Sequence, residues 1–272
     1  MNARLRLAVS LAAVLAISAV LAGCGKSGGA GVTAPGMGTV RISLTDAPAS
    51  FDSVVIIVRE VSIHRGDSGT DDAGWEIVRP DSVAAYDLLT LRNGVFMTLG
   101  TALVPAGHYT QVRLKLAPGS YVVTGATKYP LKVPSGLQSG YKLVGEFDVP
   151  AGGEVDLGLD FDAERSIHVT GNGTYMLKPT VRVFPIGTAG AIDGMLSPGS
   201  VDARVFAISA ADTVASAIPG EDGHFLVSLL PAGSYDVAVD AQTGFRDTTL
   251  AGIAVTPPSS THLGTITLTP QP

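Results

Sequence analysis

The sequence has few charged residues, few aromatic residues and a single cysteine. Of its 272 residues, 15% are charged and 6% are aromatic, and Cys24 is the only cysteine. An internal framework of disulfide bonds is therefore excluded, because each bond needs two cysteines. The formal net charge is −6, with 18 Lys and Arg against 24 Asp and Glu. We therefore expect no nucleic-acid partner, since such proteins neutralise phosphates with basic residues.

Motifs for catalysis or for zinc binding are also missing. The five histidines are scattered, and no two have the spacing of zinc ligands: His64, His108, His168, His224 and His262. No serine occupies a G-x-S-x-G elbow between a strand and a helix. The sequence therefore predicts a protein that is not an enzyme, with no catalytic residues and no cofactor. A hydrolase whose site is assembled from distant residues stays open as an alternative.

The first residues predict export. Arg4 and Arg6 precede the uncharged stretch 7–25, which contains the small-residue run LAGC at residues 21–24. A charged start, an apolar middle and small residues at the cleavage point are typical of a signal peptide. A membrane-spanning helix is the alternative, but the apolar stretch is marginal in length for one. We expect residues 1–23 to be a signal peptide that is cleaved.

The LAGC run resembles the lipobox of bacterial lipoproteins, in which the cysteine becomes the lipidated first residue of the mature chain. This resemblance implies a membrane as partner, reached through a lipid anchor at Cys24 and not through a membrane span. Gly25 stands where enterobacterial lipoproteins of the inner membrane have aspartate, which favours the outer membrane. The periplasmic and surface faces both stay open. Residues 24–38 are rich in glycine and almost uncharged, so we expect a flexible tether.

Short runs of alternating apolar and polar residues begin at residue 39 and predict half-buried strands. The strands predicted in the first half are 39–48, 53–64, 75–78, 109–116, 131–133, 141–149, 154–161 and 175–184. Those predicted in the second half are 192–196, 203–209, 212–217, 224–229, 234–241 and 263–268. One short helix is predicted at 81–91, with Ser82 as its cap. The pattern predicts an all-β protein of two consecutive β-sandwiches.

The tripeptide Pro-Ala-Gly occurs three times, at Pro105, Pro150 and Pro231, each time before an alternating run. Proline fixes φ and removes a backbone donor, and glycine permits a positive φ. Each Pro-Ala-Gly therefore predicts a turn that begins a strand, with no catalytic role.

Residues 39–187 resemble the bacterial family called domain of unknown function 4382. The matching segments are VRISLTDAPASFDSVVIIVREVSIH, LLTLRNG, LVPAGHYTQVRLKL, LKVPSG, LDFDAERSI and GNGTYMLKPTVRV. The resemblance implies a secreted, usually lipid-anchored β-domain, and it implies no particular partner.

Residues 190–270 resemble the carboxypeptidase regulatory-like, transthyretin-related domains. The matching segments are GAIDG, DARVFAI, EDGHFLVSLLPAGSYDVAVDA and LGTITL. The resemblance implies a seven-stranded Ig-like or transthyretin-like sandwich that carries no zinc and no peptidase residues. Some members of that superfamily bind carbohydrate.

An acidic run, EVDLGLDFDAE at residues 154–164, is the clearest candidate for a site. Its acids take the even positions and its apolar residues the odd ones, so a strand would have one acidic face. Calcium favours clustered carboxylates, and its candidate ligands are Asp156, Asp160, Asp162 and Glu164. The alternative is a face that is solvated or neutralised by basic residues, for which Arg165, Lys178 and Arg182 are candidates.

Other polar and aromatic residues have both structural and functional interpretations. We expect Asp46 to accept hydrogen bonds from nearby backbone amides in a turn. Asp67, Asp71 and Asp72 lie in a loop that could hold calcium but lacks the spacing of an EF-hand. The aromatic side chains available to a sugar are Trp75, Tyr86, Tyr121, Tyr129 and Tyr141, with packing as the alternative role for each.

Together these patterns predict a non-catalytic, lipid-anchored protein of the bacterial cell envelope with a binding or scaffolding role. The expected partners are the membrane, and glycans or envelope proteins. Two alternatives stay open, a carbohydrate-binding surface lipoprotein and an envelope hydrolase with a spatially assembled site.

Overall fold

The computed structural model describes residues 36–47, 49–68, 73–79, 81–134, 137–242 and 244–271. The predicted signal peptide, Cys24 and most of the predicted tether lie outside these residues. Pro35–Pro272 form one compact unit. It contains two separate hydrophobic cores, one built by residues 40–183 and the other by residues 192–268. No helix in the described part of the chain is both long enough and apolar enough to cross a membrane.

Strands account for most of both halves of this unit. The strands of the first half are β1 (Met37–Ala47), β2 (Ser53–Arg65), β3 (Trp75–Arg79), β4 (Ala84–Asp87), β5 (Met97–Pro105), β6 (Gly107–Leu116), β7 (Tyr121–Thr124), β8 (Thr127–Lys132), β9 (Tyr141–Val149), β10 (Glu154–Asp162), β11 (Ile167–Val169), β12 (Tyr175–Leu177) and β13 (Val181–Pro185). Those of the second half are β14 (Gly190–Ser197), β15 (Ala203–Ser209), β16 (Asp212–Ala217), β17 (His224–Leu230), β18 (Gly233–Ala241), β19 (Thr248–Val255) and β20 (Ser260–Thr267). One helical turn, α1 (Ala163–Ser166), follows β10.

The strands of the first half form two sheets, and we call this half the first sandwich. One sheet has the order β13-β10-β1-β5, and the other the order β11-β12-β8-β7-β2-β6-β9, with β3 and β4 also paired to β2. The second half, the second sandwich, has sheets of order β17-β14-β20 and β16-β15-β18-β19. The predicted all-β fold of two sandwiches is therefore confirmed. The domain boundaries, and the resemblance of the second sandwich to the regulatory-like domains, stay predictions.

Alternation places one face of each strand in a core. On β1 the side chains of Val40, Ile42 and Leu44 are fully buried, and on β10 those of Leu157 and Leu159 are fully buried. Burying a side chain of this size stabilises a fold by about 1.5–3 kcal/mol. The polar residues between them face away from the core, which places Arg41 on the same outer face as the acids of β10.

The helix predicted at 81–91 is wrong for most of its length. Residues Ala84–Asp87 form β4, which pairs with β2, and only Leu88–Leu91 are helical, as a 3₁₀ turn. The Asp87 carboxylate caps that turn by accepting a hydrogen bond from the Leu89 N–H, at 3.2 Å. Pairing with the neighbouring strand outweighed a helical propensity that only a few residues supported.

The strand predicted at 175–184 is two strands in different sheets. β12 and β13 are separated by residues 178–180, and Pro179 lies in that gap. Proline cannot donate a hydrogen bond to a neighbouring strand, so it ends the pairing there. Besides β4, which was predicted as helix, four strands were not predicted at all, namely β5, β7, β11 and β19.

The three Pro-Ala-Gly turns each lead into a strand, as predicted. These strands are β6, β10 and β18. In two of them the tyrosine four residues after the proline donates a hydrogen bond back to the proline carbonyl. Tyr109 Oη lies 2.7 Å from Pro105 O, and Tyr235 Oη lies 2.9 Å from Pro231 O. This contact has the form of a tyrosine corner. The expected positive φ occurs at Gly107 (150°) and Gly152 (70°) but not at Gly233.

Two of these turns also hold the first residues of β1. Ala106 N donates to Gly36 O at 2.6 Å, and Gly152 N donates to Met37 O at 2.7 Å. Thr39 N donates to Gly153 O at 2.9 Å. We call these three hydrogen bonds the β1 clasp. They fix the first described residues of the chain between two turns of the first sandwich.

Replacing Tyr109 with phenylalanine should destabilise the first sandwich by about 1 kcal/mol, because the Pro105 carbonyl loses its donor. Urea denaturation followed by fluorescence of Trp75, the only tryptophan, reports on this sandwich. Tyr235→Phe is the matched control, since it removes the same bond from the second sandwich and should leave the Trp75 transition unchanged.

The same tyrosine should give a pH dependence at alkaline pH. Burial raises the pKa of Tyr109 from 10.0 to about 12. The unfolded chain then releases the phenol proton at lower pH than the folded chain, so stability is lost as pH rises from 10 to 12. In Tyr109→Phe this decline should be smaller. An equal decline in both proteins would contradict the assignment.

Polar and apolar contacts join the two sandwiches. The Arg204 guanidinium donates to Ser50 Oγ, and Asn93 Nδ2 donates to Ile218 O at 3.2 Å. At Gly94 a Cβ atom would lie 2.6 Å from Leu226 Cδ2, so a larger residue would displace that leucine. The turn at residues 93–94 therefore packs directly on the second sandwich.

Candidate functional site

The acidic face of β10 is neutralised at its first residues by an arginine from β1. Arg41 lies opposite Asp156 in the parallel pairing of the two strands. Its Nε donates to Asp156 Oδ1 at 2.7 Å, and its Nη2 also contacts Glu154. The hydrogen bond and the charge of Asp156 raise the pKa of Arg41, so the guanidinium stays charged. The sequence analysis did not identify Arg41, although its place on the polar face of residues 39–48 was a signal.

Asp160 forms the buried ion pair of the same face. Its side chain is only 8% exposed, and it lies opposite Arg182 of β13. Arg182 Nε donates to Asp160 Oδ2 at 2.9 Å, and Nη2 contacts the same oxygen. Burial raises the pKa of Asp160, and the charge of Arg182 opposes this rise. Arg182 was one of the predicted counter-charges.

The acidic run does not continue as a strand through Glu164. β10 ends at Asp162, and Ala163–Ser166 form α1. The Asp162 carboxylate caps this turn by accepting a hydrogen bond from Arg165 N at 2.9 Å, as aspartate commonly does before a helix. Glu164 leaves the strand face and accepts from Ser50 N at 2.6 Å. A single row of five carboxylates is therefore not formed.

Three of the four predicted cation ligands nevertheless line one cleft, between the two sandwiches. Asp160, Asp162 and Glu164 lie on its first wall, and Asp156 is not among its lining residues. Arg165 and Arg182 share that wall, and β15 and β16 form the opposite wall with Arg204, Phe206 and residues 213–216. The cleft has a volume of about 150 Å³. Its three carboxylates are balanced by three arginines.

Asp46 lies buried at the end of β1 that is near this cleft. Its Oδ1 accepts a hydrogen bond from Ala163 N at 3.1 Å, and its Oδ2 has no partner among the described residues. Burial raises the pKa of Asp46 well above its usual value, and the charges of Asp160 and Asp162 add to this rise. The expected bonds to nearby amides are therefore replaced by one bond to α1, from an amide 117 residues away.

The geometry favours the ion-paired interpretation of these acids over calcium binding. Each of the four candidate ligands accepts a hydrogen bond from an arginine or from a backbone amide. Within the described ranges, no three side chains of His, Cys, Asp or Glu lie close enough together to hold a metal ion. Asp71 and Asp72 of the other candidate loop lie outside the described residues.

One serine contacts a histidine, but the pair lacks the arrangement of a hydrolase. Ser68 Oγ lies 2.9 Å from His64 Nε2 and donates to Arg65 O at 2.8 Å. A serine nucleophile would donate to the histidine, which in turn needs an acceptor at Nδ1. His64 Nδ1 is buried and has no partner in the described part of the chain. The contact therefore gives no support to the hydrolase alternative.

Cations cover three of the aromatic rings proposed as sugar platforms. Arg113 lies 3.6 Å from the ring centre of Trp75, Lys128 lies 3.4 Å from that of Tyr121, and Arg79 lies 5.8 Å from that of Tyr86. Such cation–π contacts occupy a ring face that a sugar would need. Tyr141 donates its hydroxyl to Pro134 O at 2.9 Å, and burial raises its pKa to about 12.

Tyr129 differs from these four, because it lies beside a second tyrosine in an open groove. The rings of Tyr129 and Tyr175 are 5.0 Å apart and tilted by 40°. Three depressions adjoin one another here, and Lys132 lines all three. We call them together the Lys132 groove. Other residues that line the groove are Pro130, Leu137, Thr170, Asn172, Thr174 and Met176.

Comparison with known proteins identifies one family. The model of a family described as "Domain of unknown function (DUF4382)" matches residues 37–179. This range covers most of the first sandwich, including the Lys132 groove and all of the β1 clasp except Gly36. Among curated proteins, none matches this chain in sequence.

Several solved structures are similar to the chain, each with a low TM-score. A chain of a type II cohesin–X-dockerin complex from Acetivibrio cellulolyticus is 18% identical, with a TM-score of 0.24, over 29% of this chain and 56% of that one. The Bacillus anthracis TIE protein is 13% identical, with a TM-score of 0.26, over 86% of this chain and 34% of that one. GBS52, the minor pilin of Streptococcus agalactiae, is 11% identical, with a TM-score of 0.22, over 85% of this chain and 96% of that one. At this level the similarities carry no argument about function.

Proposed function

The chain belongs to the DUF4382 family, and from that premise we propose that it is a lipid-anchored protein of the bacterial cell envelope, with a binding or scaffolding role and no catalytic activity. The proposed anchor is Cys24 in LAGC, and the proposed location is the outer membrane. The proposed partners are the membrane itself and a ligand of the envelope.

The β1 clasp is the observation that most supports this proposal. The first described residues, at 36–39, bond to two turns of the first sandwich. The first and last residues of a domain are commonly poorly ordered unless something ties them down. An anchored protein needs its point of attachment to be firm. Residues 24–35 of the predicted tether precede this clasp, and residues 36–38, also predicted as flexible, belong to the clasp and to β1.

The contacts between the sandwiches support a scaffolding role. Arg204, Asn93 and Gly94 bring the two halves together through hydrogen bonds and packing. A two-part body of this kind holds two surfaces at a set spacing from the membrane. The seven strands of the second sandwich would then act as a spacer or as a contact surface.

The best-defined polar groups are engaged in contacts within the fold, which gives no support to a catalytic role. The acids of β10 are paired with Arg41 and Arg182, so they are not available as a general acid and base. The Ser68–His64 contact has the serine hydrogen directed to a backbone carbonyl. These pairs stabilise the fold.

The test is lipid labelling in a bacterial host. The parent protein should incorporate radiolabelled palmitate and sediment with membranes, and Cys24→Ala should lose both properties. Ser27→Ala is the matched control, because it changes a neighbouring residue of the tether and leaves the cysteine intact. A Cys24→Ala protein that labels as well as the parent would refute the anchor.

A further inference from the structure

We propose that the Lys132 groove binds an acidic polysaccharide, with sugar rings against Tyr129 and Tyr175 and a sugar carboxylate paired with Lys132. The inference rests on the proposed function, because it takes the envelope as the place where the ligand is met. It adds to that function a site and a class of ligand.

The shape of the groove fits a chain-like ligand. The three depressions have volumes of about 260, 300 and 420 Å³. Pockets for small ligands usually start at about 300 Å³ and enclose the ligand. Here the depressions are open and adjoin one another through Lys132, Met176 and Thr174. Successive units of one polymer fit such a row better than one enclosed molecule does.

The two tyrosines are held in place by the fold. Tyr175 of β12 lies opposite Leu131 of β8, and this parallel pairing brings Tyr175 to within 5.0 Å of Tyr129. Phe51 contacts Tyr175 edge-on, with ring centres 6.4 Å apart. Both tyrosines are partly buried. Aromatic rings that are fixed in this way present an apolar face and a polar edge, which suits a sugar ring.

The charge of the groove favours an anionic ligand. Lys132 is exposed, and no carboxylate within the described ranges pairs with it. The described residues that line the three depressions include no Asp and no Glu. This is a contrast with the whole chain, which has more acids than bases. The lysine attracts a negatively charged ligand, and no carboxylate in the lining of the groove repels it.

Polar groups at the other side of the groove complete the site. Thr170 Oγ1 donates to Asn172 Oδ1 at 2.5 Å, and Thr170 also contacts Thr174 O at 2.9 Å. These bonds hold the loop at residues 170–174 in one shape. They leave the amide nitrogen of Asn172 without a partner in the described part of the chain. An exposed donor next to an aromatic pair is what sugar hydroxyls require.

The test is binding of polygalacturonate, a polymer of galacturonic acid, measured by titration calorimetry. The protein is the chain from residue 24 onwards with Cys24→Ala, so that no lipid can be attached at this position. Neutral dextran is the comparison ligand, and an acidic peptide, polyglutamate, tests charge without sugar. We expect polygalacturonate to bind in a salt-dependent way, with dextran and polyglutamate each at least about tenfold weaker.

Two substitutions test whether polygalacturonate binds in the Lys132 groove. Lys132→Ala and Tyr129→Ala should each weaken polygalacturonate binding by about tenfold or more, which corresponds to one good contact. Lys142→Ala is the matched control, since Lys142 is an exposed lysine on β9 at the other end of the same sheet. Circular dichroism and Trp75 fluorescence show that each variant is folded.

The outcomes separate this inference from the proposed function. Binding that survives both Lys132→Ala and Tyr129→Ala, equal binding of polyglutamate, or no binding at all would overturn the groove assignment. Palmitate labelling of the parent is independent of these results. A labelled protein that binds no polygalacturonate would therefore leave the anchor standing and reject only the acidic glycan.

Discussion

A Gly38→Val substitution should lower the free energy of unfolding of the first sandwich by about 2–3 kcal/mol, because β1 can then no longer lie in its clasp. A Cβ at Gly38 would lie 2.4 Å from Pro150 O and 2.6 Å from Val149 Cγ1. Backbone carbonyls cannot rotate out of the way, so β1 must move. Movement breaks the bonds of Met37 and Thr39 to the turn at residues 150–153. Urea denaturation followed by Trp75 fluorescence measures the loss.

Gly171→Val is the matched control for Gly38→Val. No atom lies within 4 Å of the position that a Cβ at Gly171 would take, and this glycine also belongs to the first sandwich. The free energy of unfolding of Gly171→Val should differ from that of the parent protein by no more than about 0.5 kcal/mol. A Gly38→Val protein as stable as Gly171→Val would show that the clasp contributes nothing to the fold.

Replacing Arg182 with leucine should destabilise the first sandwich by about 3 kcal/mol at neutral pH, because it leaves the Asp160 carboxylate buried without its partner. The Asp160 side chain is 8% exposed, so water from the cleft can replace the guanidinium only in part. Arg41→Leu is the matched control on the same face. Its partner Asp156 is 41% exposed, and the loss there should stay below about 1 kcal/mol.

The Arg182→Leu defect should shrink as pH falls from 7 towards 5. Burial already raises the pKa of Asp160, and removing Arg182 raises it further. The folded variant therefore takes up a proton that the unfolded chain, with an ordinary pKa, does not, and stability increases as pH falls. Thermal unfolding at several pH values measures this. A defect of equal size at every pH would mean that packing of the arginine stem, and not its charge, stabilises the sheet.

Local sequence patterns correctly predicted those strands whose own residues favour a buried strand, whatever strand they pair with. The run 53–64 contains five consecutive apolar residues, all β-branched, which favour a buried strand, and it forms β2. β5, by contrast, contains two threonines and a glycine in MTLGTALVP, and its pairing with β1 decides its structure. The 3₁₀ turn after β4 depends on Asp87, which also accepts a bond from Ser53 Oγ at 2.8 Å. Neither the pairing of β5 with β1 nor the contact of Asp87 with Ser53 can be predicted from a short stretch of sequence.

The partners of the candidate site residues could be predicted only where they lie close along the chain. Arg182 and Asp160 are 22 residues apart on neighbouring strands, and the sequence analysis named both. Arg41 and Asp156 are 115 residues apart, and they meet because β1 and β10 pair in parallel. The Lys132 groove depends on the parallel pairing of β8 with β12 in the same way. Long-range register of this kind has no signature in the alternation of either strand.

The position of β1 decides how the protein would respond to a pulling force. β1 is an inner strand, paired in parallel with β10 and antiparallel with β5, and the predicted tether runs into its first two residues, Met37 and Gly38. A pull along β1 from that end loads the hydrogen bonds on both of its sides at the same time, in shear. The bonds do not break one after another, as they would in a peeled hairpin. If the proposed anchor holds the chain at Cys24, an inner strand next to the tether would therefore make the fold resist mechanical extraction from that end.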